Sequence, residues 1–399
     1  MRYTFSFVLI FIFTISVKSQ ILQGKVLDAK TAEPISFASI GIIGTNTVTV
    51  TNENGEFILK VDKFPTKLRI SHVSYLILET PIDEAKNGLT IKLNAAAINL
   101  NEVVIRPDEG KTLLRLALQK AKEYLSTPFY ANAFYRQLTS TNANPTEIHE
   151  LFYDINWNVK YVQGWAAKQS RFAEINDPTK FSLSNQSFLT FAYAGYIFPD
   201  KRARFVSVKY LDDFEVEVDR YIEQKDQDIA VITCKLKKTR KNLFYANSTY
   251  YVGVKDFKIY RLENKIHNMP CEFSPGLSLR FPSIVETIAT FNGNDLPIPV
   301  LESMSTKVYL GLTNNGRVIN SVISSLLTVI KVDDKLKNQQ FRGLNGDIKD
   351  KKVIQSIKYD ANFWKNNPIV KQTTLEDAFI KMMESKQAFG TMTNPINNA

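Results

Sequence analysis

Apolar and polar residues alternate with a period of two along much of this chain, which indicates strands with one buried face. From residue 21 to residue 93 these runs are short, and turn residues separate them. The arrangement predicts about seven strands in a small antiparallel β-sandwich. The second strand is predicted over Ile35–Ile43. Asn54 and Gly55 are predicted to turn a β-hairpin, because both residue types tolerate a positive φ.

One segment after the sandwich has a helical period instead. Leu114, Leu118, Ala121 and Leu125 recur at spacings of three and four residues within Lys111–Ser126, with Lys and Gln between them. This spacing predicts one amphipathic helix.

Strand-like runs return at residue 129 and continue to about residue 335. Short links between the runs favour antiparallel pairing, and Thr313–Gly316 has the composition of a hairpin turn. We therefore predict a mainly β fold, in which one large curved antiparallel sheet or open barrel-like domain follows the sandwich. The runs include Phe188–Phe198, Val206–Lys209 and Phe214–Val218.

The tail after residue 335 is polar and is predicted to be mostly loop. Phe363 and Trp364 are its predicted anchor on the sheet. Thr374–Phe389 is predicted to form the last helix, with Thr374 as its cap and Leu375 facing the body of the protein.

The first residues have the pattern of a secretory signal peptide. Arg2 precedes the apolar run Phe5–Val17, and the small residue Ser19 suits a cleavage site that leaves Gln20 first. No later segment reaches about eighteen uninterrupted apolar residues, so no membrane-spanning helix is expected. No Cys follows the run, so a lipoprotein anchor is not expected. We predict export across the inner membrane, to the periplasm or to the outer-membrane surface.

Residues of the sandwich segment carry a resemblance to a known family. They are Gly24, Val26, Asp28, Pro34, Ala38, Gly44, Asn54, Gly55, Phe57, Leu68, Ser71 and Tyr75. In this order they resemble the carboxypeptidase-regulatory-like domain, a transthyretin-like β-sandwich, although Ser74 stands where the family usually has Gly. Leu100–Ile105 resembles the strand that ends this domain in envelope proteins of the Bacteroidota. The resemblance covers residues 21–105 and implies the accessory domain of the peptidases, not their catalytic domain.

A second resemblance concerns the larger part of the chain. Phe129–Gln137 is similar to the strand that follows the sandwich in a group of uncharacterised exported β-rich proteins, with Gln137 in place of an acidic residue.

The chain is then divided into a signal peptide (1–19), a carboxypeptidase-regulatory-like β-sandwich (20–105), a linker and helix (106–128), a large antiparallel β domain (129–335) and a tail with a C-terminal helix (336–399).

The chain is basic, with a formal net charge of +10. Loss of Arg2 and Lys18 with the signal peptide lowers this to about +8. Such a charge favours contact with anionic surfaces, including lipid headgroups. Nucleic acid is not expected as a partner, because the sequence has no basic helix, zinc knuckle or aromatic RNA-binding motif. A solvated basic surface is the favoured interpretation.

The sequence offers no recognisable catalytic motif. His72, His149 and His267 are the only histidines, and none begins H-x-x-E or H-E-x-x-H. No G-x-S-x-G, phosphate-binding Gly loop or G-x-G-x-x-G is present. We therefore predict a non-enzymatic protein without cofactor or metal. Cys234 and Cys271 are expected either to pair, as exported proteins allow, or to remain as buried thiols.

One acidic run is the candidate site. Asp213, Glu215, Glu217 and Asp219 alternate with apolar residues, so a strand would place the four carboxylates on one face. They form either a ligand or cation face or the wet face of a half-buried strand, and the second interpretation is favoured, because hard cations usually take ligands from turns.

Aromatic residues suggest two further sites. Leu189–Phe198 and Phe244–Tyr251 line an apolar ligand cavity in one interpretation and pack the core in the other. Trp157 and Trp165 flank Tyr161 with a spacing that suits a groove for sugar or peptide, although packing is favoured here too.

The predicted function is that of an exported, non-enzymatic cell-envelope protein. Its sandwich is an interaction module, and its β domain binds an envelope protein, lipid or glycan, with peripheral outer-membrane association as an option. A small outer-membrane β-barrel is the alternative, although strands with charges on both faces argue against it. An envelope hydrolase that uses carboxylates of residues 212–219 is a third hypothesis.

Overall fold

The computed structural model describes residues 20–45, 47–99, 108–124, 126–158, 162–176, 181, 203–271, 273, 275–291, 300–343 and 350–389. The predicted signal peptide and the strands at Leu100–Ile105 and Phe188–Phe198 lie outside the described residues, as do Leu125 and Tyr161.

The N-terminal sandwich has two sheets. The first has the order β4 (Glu56–Val61), β1 (Gln20–Asp28), β7 (Leu89–Leu93). The second has the order β3 (Val48–Val50), β2 (Ser39–Ile42), β5 (Thr66–Ser71), β6 (Leu78–Ile82). The strand number agrees with the prediction, but β1 and β7 are parallel. Consecutive strands β6 and β7 lie in different sheets, so no tight turn forces β7 to run antiparallel to its neighbour.

Apolar side chains from both sheets fill the space between them, among them Leu22, Val26, Ile40, Phe57 and Leu68. The second strand begins later than predicted, at Ser39. Phe37 has φ 58°, which interrupts the extended backbone before that point.

Asn54 and Gly55 form a turn, but not the predicted β-hairpin, because β3 and β4 lie in different sheets. Gly55 has φ 71°, and a Cβ here would lie 2.6 Å from the carbonyl oxygen of Val26. The Asn52 side chain accepts hydrogen bonds from the backbone N–H groups of Asn54 and Glu56, both at 2.9 Å. The turn therefore carries the chain from one sheet to the other.

One large antiparallel sheet, as predicted, contains the described strands that follow the sandwich. Its order is β20 (Arg342–Gly343), β11 (Val162–Glu174), β10 (Asn144–Trp157), β9 (Phe129–Thr141), β19 (Arg317–Val332), β18 (Leu301–Asn314), β17 (Ile284–Phe291), β15 (Ile259–His267), β14 (Tyr245–Gly253), β13 (Ile229–Leu236), β12 (Phe214–Ile222), β8 (Ile98–Asn99), and β16 (Leu277–Leu279) pairs with β18. Among the described residues β20 and β8 do not pair with each other, so the sheet is open.

In the large sheet, one predicted turn is confirmed and two predictions about strands are wrong. The turn between β18 and β19 is the predicted hairpin, with φ 46° at Asn315 and 82° at Gly316. Val206–Lys209 is not a strand: the backbone turns there, and Val206 packs with Phe205 in the core beneath the sheet. Strand β11 was not predicted.

Helix α1 (Glu109–Glu123) packs on one face of the sheet, called here the inner face. Its buried residues include Leu114, Leu118 and Ala121, as the spacing predicted. A Cβ at Gly110 would lie 3.3 Å from the backbone of β12, so the start of the helix lies directly against this strand.

The opposite, outer face is covered in part by the sandwich. Val50 of β3 packs with Phe134 of β9, and Val73 packs with Val231 of β13. Gln224 donates hydrogen bonds of 3.1 Å to the carbonyl oxygens of Val73 and Tyr75. The sandwich and the sheet therefore share buried surface.

The tail contains more helix than predicted. It has α2 (Asp350–Ser356), α3 (Ala361–Asn366) and α4 (Thr374–Ser385). Trp364 is buried, as predicted, whereas Leu375 is 48% exposed and does not face the body. The cap of α4 is Thr373, one residue before the predicted Thr374.

Two further observations concern the whole of the described chain. None of its helices is both long and apolar enough to span a membrane. Cys234 and Cys271 are free thiols, the first buried and the second half-buried.

Candidate functional site

The structure separates the four predicted acidic residues. Asp213 ends a short 3-10 turn, while Glu215, Glu217 and Asp219 lie in β12, and all four are exposed. Glu215 and Glu217 share the outer face, but Asp219 falls at a bulge and forms an ion pair with Arg220. The ligand-face interpretation therefore stays a prediction that concerns two neighbouring carboxylates. In the described part of the chain no group of three His, Cys, Asp or Glu side chains is placed to hold a metal ion.

The predicted aromatic sites are mostly core. Trp157 and Trp165 are both buried in the core beneath the inner face, so these two do not form an open groove. Tyr250 of β14 points into the same core and is fully buried. Burial raises the pKa of the Tyr250 hydroxyl well above its ordinary value, so the hydroxyl stays neutral.

A row of polar side chains crosses the inner face of the sheet. Each residue lies directly opposite the next on the neighbouring strand, because the cross-strand registers coincide over eight strands. All are buried. The polar row is His149, Gln137, Ser325, Thr306, Thr287, Asn264, Ser248 and Cys234.

Apolar residues flank the polar row on both sides in six of its strands, two positions along each strand: β19, β18, β17, β15, β14 and β13. On β9 and β10 one flank is polar instead, with Thr139 and Glu147. One flank contains Leu327, Met304, Ala289, Leu262, Tyr250 and Ile232. The other contains Ile323, Val308, Val285, Ile266 and Ala246. The inner face thus presents a polar stripe between two apolar bands.

Hydrogen bonds satisfy part of this row. Ser248 Oγ donates to Asn264 Oδ1 at 2.6 Å, and Asn264 Nδ2 donates to Thr287 Oγ1 at 3.4 Å. Further along, Gln137 Nε2 donates to Thr139 Oγ1 at 3.2 Å. The hydroxyl of Thr306, which lies between these groups, is buried and has no hydrogen-bond partner among the described residues.

The row ends at a charged cluster where β10 meets α2. His149 Nε2 lies 2.6 Å from Glu147 Oε1, and Lys351 Nζ lies 3.0 Å from Glu147 Oε2. Lys351 also lies 3.2 Å from Glu174 Oε2. At the opposite end Cys234 is neutral, because burial raises the pKa of its thiol. The charge of the polar row is thus concentrated at one end.

The outer face has its own buried charges. Glu150 accepts a hydrogen bond from Arg136 Nε at 2.6 Å and a second from Arg171 Nε, and all three residues lie directly opposite one another on β9, β10 and β11. Burial alone would raise the pKa of Glu150, but the charges of Arg171 and Arg136 hold it below its ordinary value. We call this group the Arg–Glu–Arg cluster. It holds the tail, since Arg136 Nη2 also donates to the Val370 carbonyl at 3.1 Å.

The sequence analysis did not identify the polar row. Each strand contributes one Ser, Thr, Asn, Gln, His or Cys, and a single polar residue in an apolar run gives no signal by itself. Only the register of the strands aligns these residues. The sequence contains one signal of the row: in several consecutive strands, a polar residue stands at a position where the alternation predicts an apolar side chain that faces the core.

Comparisons with known proteins identify one part of the chain. The CarboxypepD_reg-like domain family matches residues 22–105. No curated protein matches this chain.

Among solved structures, a LolA superfamily protein from Nitrosomonas europaea is 9% identical, and its match covers 56% of this chain and 96% of that protein, with a TM-score of 0.18. A DUF1329 family protein from Desulfovibrio piger is 10% identical over 58% of this chain and 97% of that protein, with a TM-score of 0.22. TM-scores this low do not establish a shared fold.

The family match and the fold agree over the strands of the sandwich, β1 to β7. The matched range contains both sheets of the sandwich, and it includes the residues whose order carries the resemblance in the sequence. Residues 22–105 of this chain are therefore a CarboxypepD_reg-like domain.

Proposed function

We propose that this chain is an exported, non-enzymatic binding protein of the cell envelope, and that the inner face of its large sheet binds a lipid. Thr306 carries the proposal. Its hydroxyl is buried and makes no hydrogen bond with the described residues, although it lies in the middle of the polar row. An unpaired buried hydroxyl costs about 1–3 kcal/mol, and a ligand oxygen that accepts a hydrogen bond from it would offset this cost.

The pattern around Thr306 suits an amphipathic ligand. Apolar bands lie on both sides of the polar row, so hydrocarbon chains would gain by burial there. An ester or headgroup oxygen would then meet the row itself. In such sites a few precisely positioned polar groups, surrounded by apolar side chains, fix the orientation of the ligand and determine which ligand binds.

The CarboxypepD_reg-like domain is the proposed contact for an envelope protein. Its shared surface with the outer face supports this role, because a module held in a fixed orientation loses less freedom when a partner binds.

A pair of matched substitutions tests the lipid site. Thr306→Val keeps the shape of the side chain and removes the hydroxyl. We expect this variant to raise the free energy of unfolding of the delipidated protein by about 1 kcal/mol, because an unpaired buried hydroxyl is removed and no hydrogen bond is lost. We also expect it to bind a fluorescent fatty acid more weakly than wild type does. The measurements are urea unfolding and a fluorescence titration.

Thr287→Val is the control for this test. The Thr287 hydroxyl accepts from Asn264, so its loss leaves a buried amide donor unpaired and lowers stability by about 1–3 kcal/mol. Equal fatty-acid binding by wild type and Thr306→Val would contradict the proposed site. Mass spectrometry of an organic extract of the protein purified from its host identifies the bound molecule, and a glycan there would replace the lipid.

Localisation has a separate test. Release from host membranes by high salt or carbonate is expected for a peripheral or periplasmic protein. Strict dependence on detergent would favour the alternative of an integral outer-membrane protein.

A further inference from the structure

One end of the large sheet is basic. The β13–β14 loop, residues 237–244, contains four exposed cations, and two exposed arginines follow on neighbouring connections at the same end. They are Lys237, Lys238, Arg240, Lys241, Arg280 and Arg317. We call this surface the basic end.

Hydrogen bonds join the connections of the basic end into one surface. Asn268 Nδ2 donates to the carbonyl oxygen of Leu243 at 2.5 Å, which links the β15–β17 connection to the basic loop. The backbone N–H of Asn315 donates to the Gly276 carbonyl at 3.1 Å, which links the same connection to the β18–β19 turn. The cations therefore stand on one continuous edge.

Two large apolar side chains are exposed on this edge. Phe281 is 47% exposed and Val318 is 50% exposed. The ring of Phe281 lies over Gly311, where a Cβ would be 2.0 Å from its Cζ, so the glycine makes room for the ring. Arg280 lies 5.6 Å from the centre of that ring. Apolar and cationic groups are thus side by side.

Carboxylates at the basic end are few among the described residues. Asp212 lies beside it but pairs with Lys111 at 3.4 Å, and Asp213 is its exposed neighbour. Glu272 belongs to the β15–β17 connection but lies outside the described residues.

The other end of the sheet has a mixed charge. Its connections carry exposed lysines, including Lys225, Lys255, Lys335 and Lys337, together with a comparable number of carboxylates. The carboxylates are Glu223, Asp226, Asp228, Asp256, Asp333 and Asp334. Among the described connections of the large sheet, the positive charge is therefore concentrated at one end.

We propose that the basic end docks on an anionic membrane surface. This goes beyond the proposed lipid site, which lies on the inner face and holds a single ligand. Lysine and arginine near a membrane attract anionic headgroups, and exposed Phe and Val enter the interfacial region. Nucleic acid is the competing partner, because the exposed Phe281 ring offers a base a stacking surface whereas Val318 does not, and a DNA oligonucleotide is therefore included as a second probe.

Sedimentation with vesicles tests the docking surface. The probe is a set of vesicles of phosphatidylcholine with and without phosphatidylglycerol, and the protein is the full mature chain. Wild type is expected to sediment with anionic vesicles and to be released by salt. Replacing Lys237, Lys238, Arg240 and Lys241 by Gln should weaken the partition coefficient by about tenfold or more.

The control removes the same charge at the other end. It replaces Lys225, Lys255, Lys335 and Lys337 by Gln, and each set contains one lysine that donates to a backbone carbonyl, Lys237 to Asp212 and Lys255 to Asp226. We expect this control to keep most of the binding. Equal loss in both variants would show that net charge alone is responsible and would overturn the proposal.

The apolar part of the surface has its own variant. Phe281→Ser combined with Val318→Thr leaves every cation in place. We expect weaker binding than that of wild type at the same salt concentration, because the apolar contribution is lost while the electrostatic attraction stays. The proposal is wrong if both this variant and the four-residue basic variant bind vesicles as tightly as wild type does. It is also wrong if the protein binds a DNA oligonucleotide but not vesicles. Fatty-acid binding by these variants is expected to equal that of wild type, which separates this test from that of the inner-face site.

Discussion

Glu150 is a buried acid between two buried bases. Arg136 also donates to the Val370 carbonyl and lies 3.6 Å from Glu376, while the Arg171 guanidinium lies 4.7 Å from the centre of the Trp364 ring. Glu150 is therefore the buried carboxylate that both guanidinium groups share. Each also lies near a less buried carboxylate of the tail, since Arg171 Nη1 is 3.4 Å from Glu384 Oε1. Removing one partner of a buried charge network destabilises a protein more than replacing the whole network by apolar residues, because it leaves a buried charge without compensation.

Glu150→Gln is expected to destabilise the protein by about 3 kcal/mol, because two buried guanidinium groups lose the one fully buried carboxylate that they share and keep only the more exposed Glu376 and Glu384 as charge partners. The measurement is the free energy of unfolding in urea at neutral pH. Gln is close to Glu in shape, so a cavity does not explain the loss.

Glu215→Gln is the matched control, since Glu215 is exposed on β12. Its effect should stay within about 0.5 kcal/mol. A Glu150→Gln variant as stable as Glu215→Gln would show that the cluster does not hold the tail.

At the scale of one element, helix α4 depends on its first turn. Thr373 Oγ1 accepts from the Glu376 N–H at 3.3 Å, and Glu376 Oε2 accepts from the Thr373 N–H at 2.8 Å. This capping box starts a helix whose buried residues are Phe379, Ile380 and Met383.

Thr373→Ala is expected to cost about 1 kcal/mol, because the Glu376 N–H loses its acceptor. Hydrogen exchange of the α4 amides measures the effect locally. Thr374→Ala, at the residue that the sequence pattern favoured as the cap, should leave exchange nearly unchanged. The reverse order of effects would restore the original prediction.

Elements with a clean period were predictable from the sequence. Strands such as β12 and β19 alternate regularly, and α1 has its apolar residues at helical spacing. Strand β11 was missed, because Ala166, Ala167 and Lys168 interrupt the alternation and a register shift lies beside them. The short helices α2 and α3 are too brief for a 3.6-residue period to show.

The candidate site was less predictable than the elements. The polar row depends on the register of all eight neighbouring strands, with β10 at one end of the row and β13 at the other. A shift of one residue in any of these strands would move its polar side chain to the outer face. The charges of the basic loop are visible in the sequence, but its neighbours Arg280 and Arg317 join it only through the fold.

At the scale of the whole molecule, the sandwich contacts the sheet through His72. Its Nε2 lies 3.3 Å from Arg261 Nη1, and its Nδ1 lies 3.2 Å from the Ser74 backbone nitrogen. A neutral imidazole accepts at one of its two nitrogens and carries a proton on the other, whereas a protonated imidazole has no acceptor nitrogen. Protonation would therefore remove the accepted hydrogen bond and place a second cation beside Arg261. Burial and the Arg261 charge lower the pKa of His72 to about 3.

Stability should therefore fall as the pH is lowered from about 7 to about 5, by about 2 kcal/mol from this residue. The unfolded chain takes up a proton near the ordinary histidine pKa of 6.5, whereas the folded protein does not until the pH approaches the lowered value. Above the ordinary pKa the stability is fully present. Urea unfolding across this pH range measures the slope.

His72→Asn removes the titration and keeps an acceptor near Ser74. The variant should lose most of the slope between about pH 7 and about pH 5. An unchanged slope would mean that other groups cause the pH dependence.

The contact between the sandwich and the tail has a consequence for the order of assembly. Thr49 Oγ1 donates to the Ile369 carbonyl at 2.8 Å, and Asn52 Nδ2 donates to the Lys371 carbonyl at 3.1 Å, across sequence separations of 320 and 319 residues. The strands of the sandwich are synthesised before these carbonyls and pair locally. The sandwich therefore makes its contacts with the tail only after the whole large sheet that separates them in sequence has been synthesised.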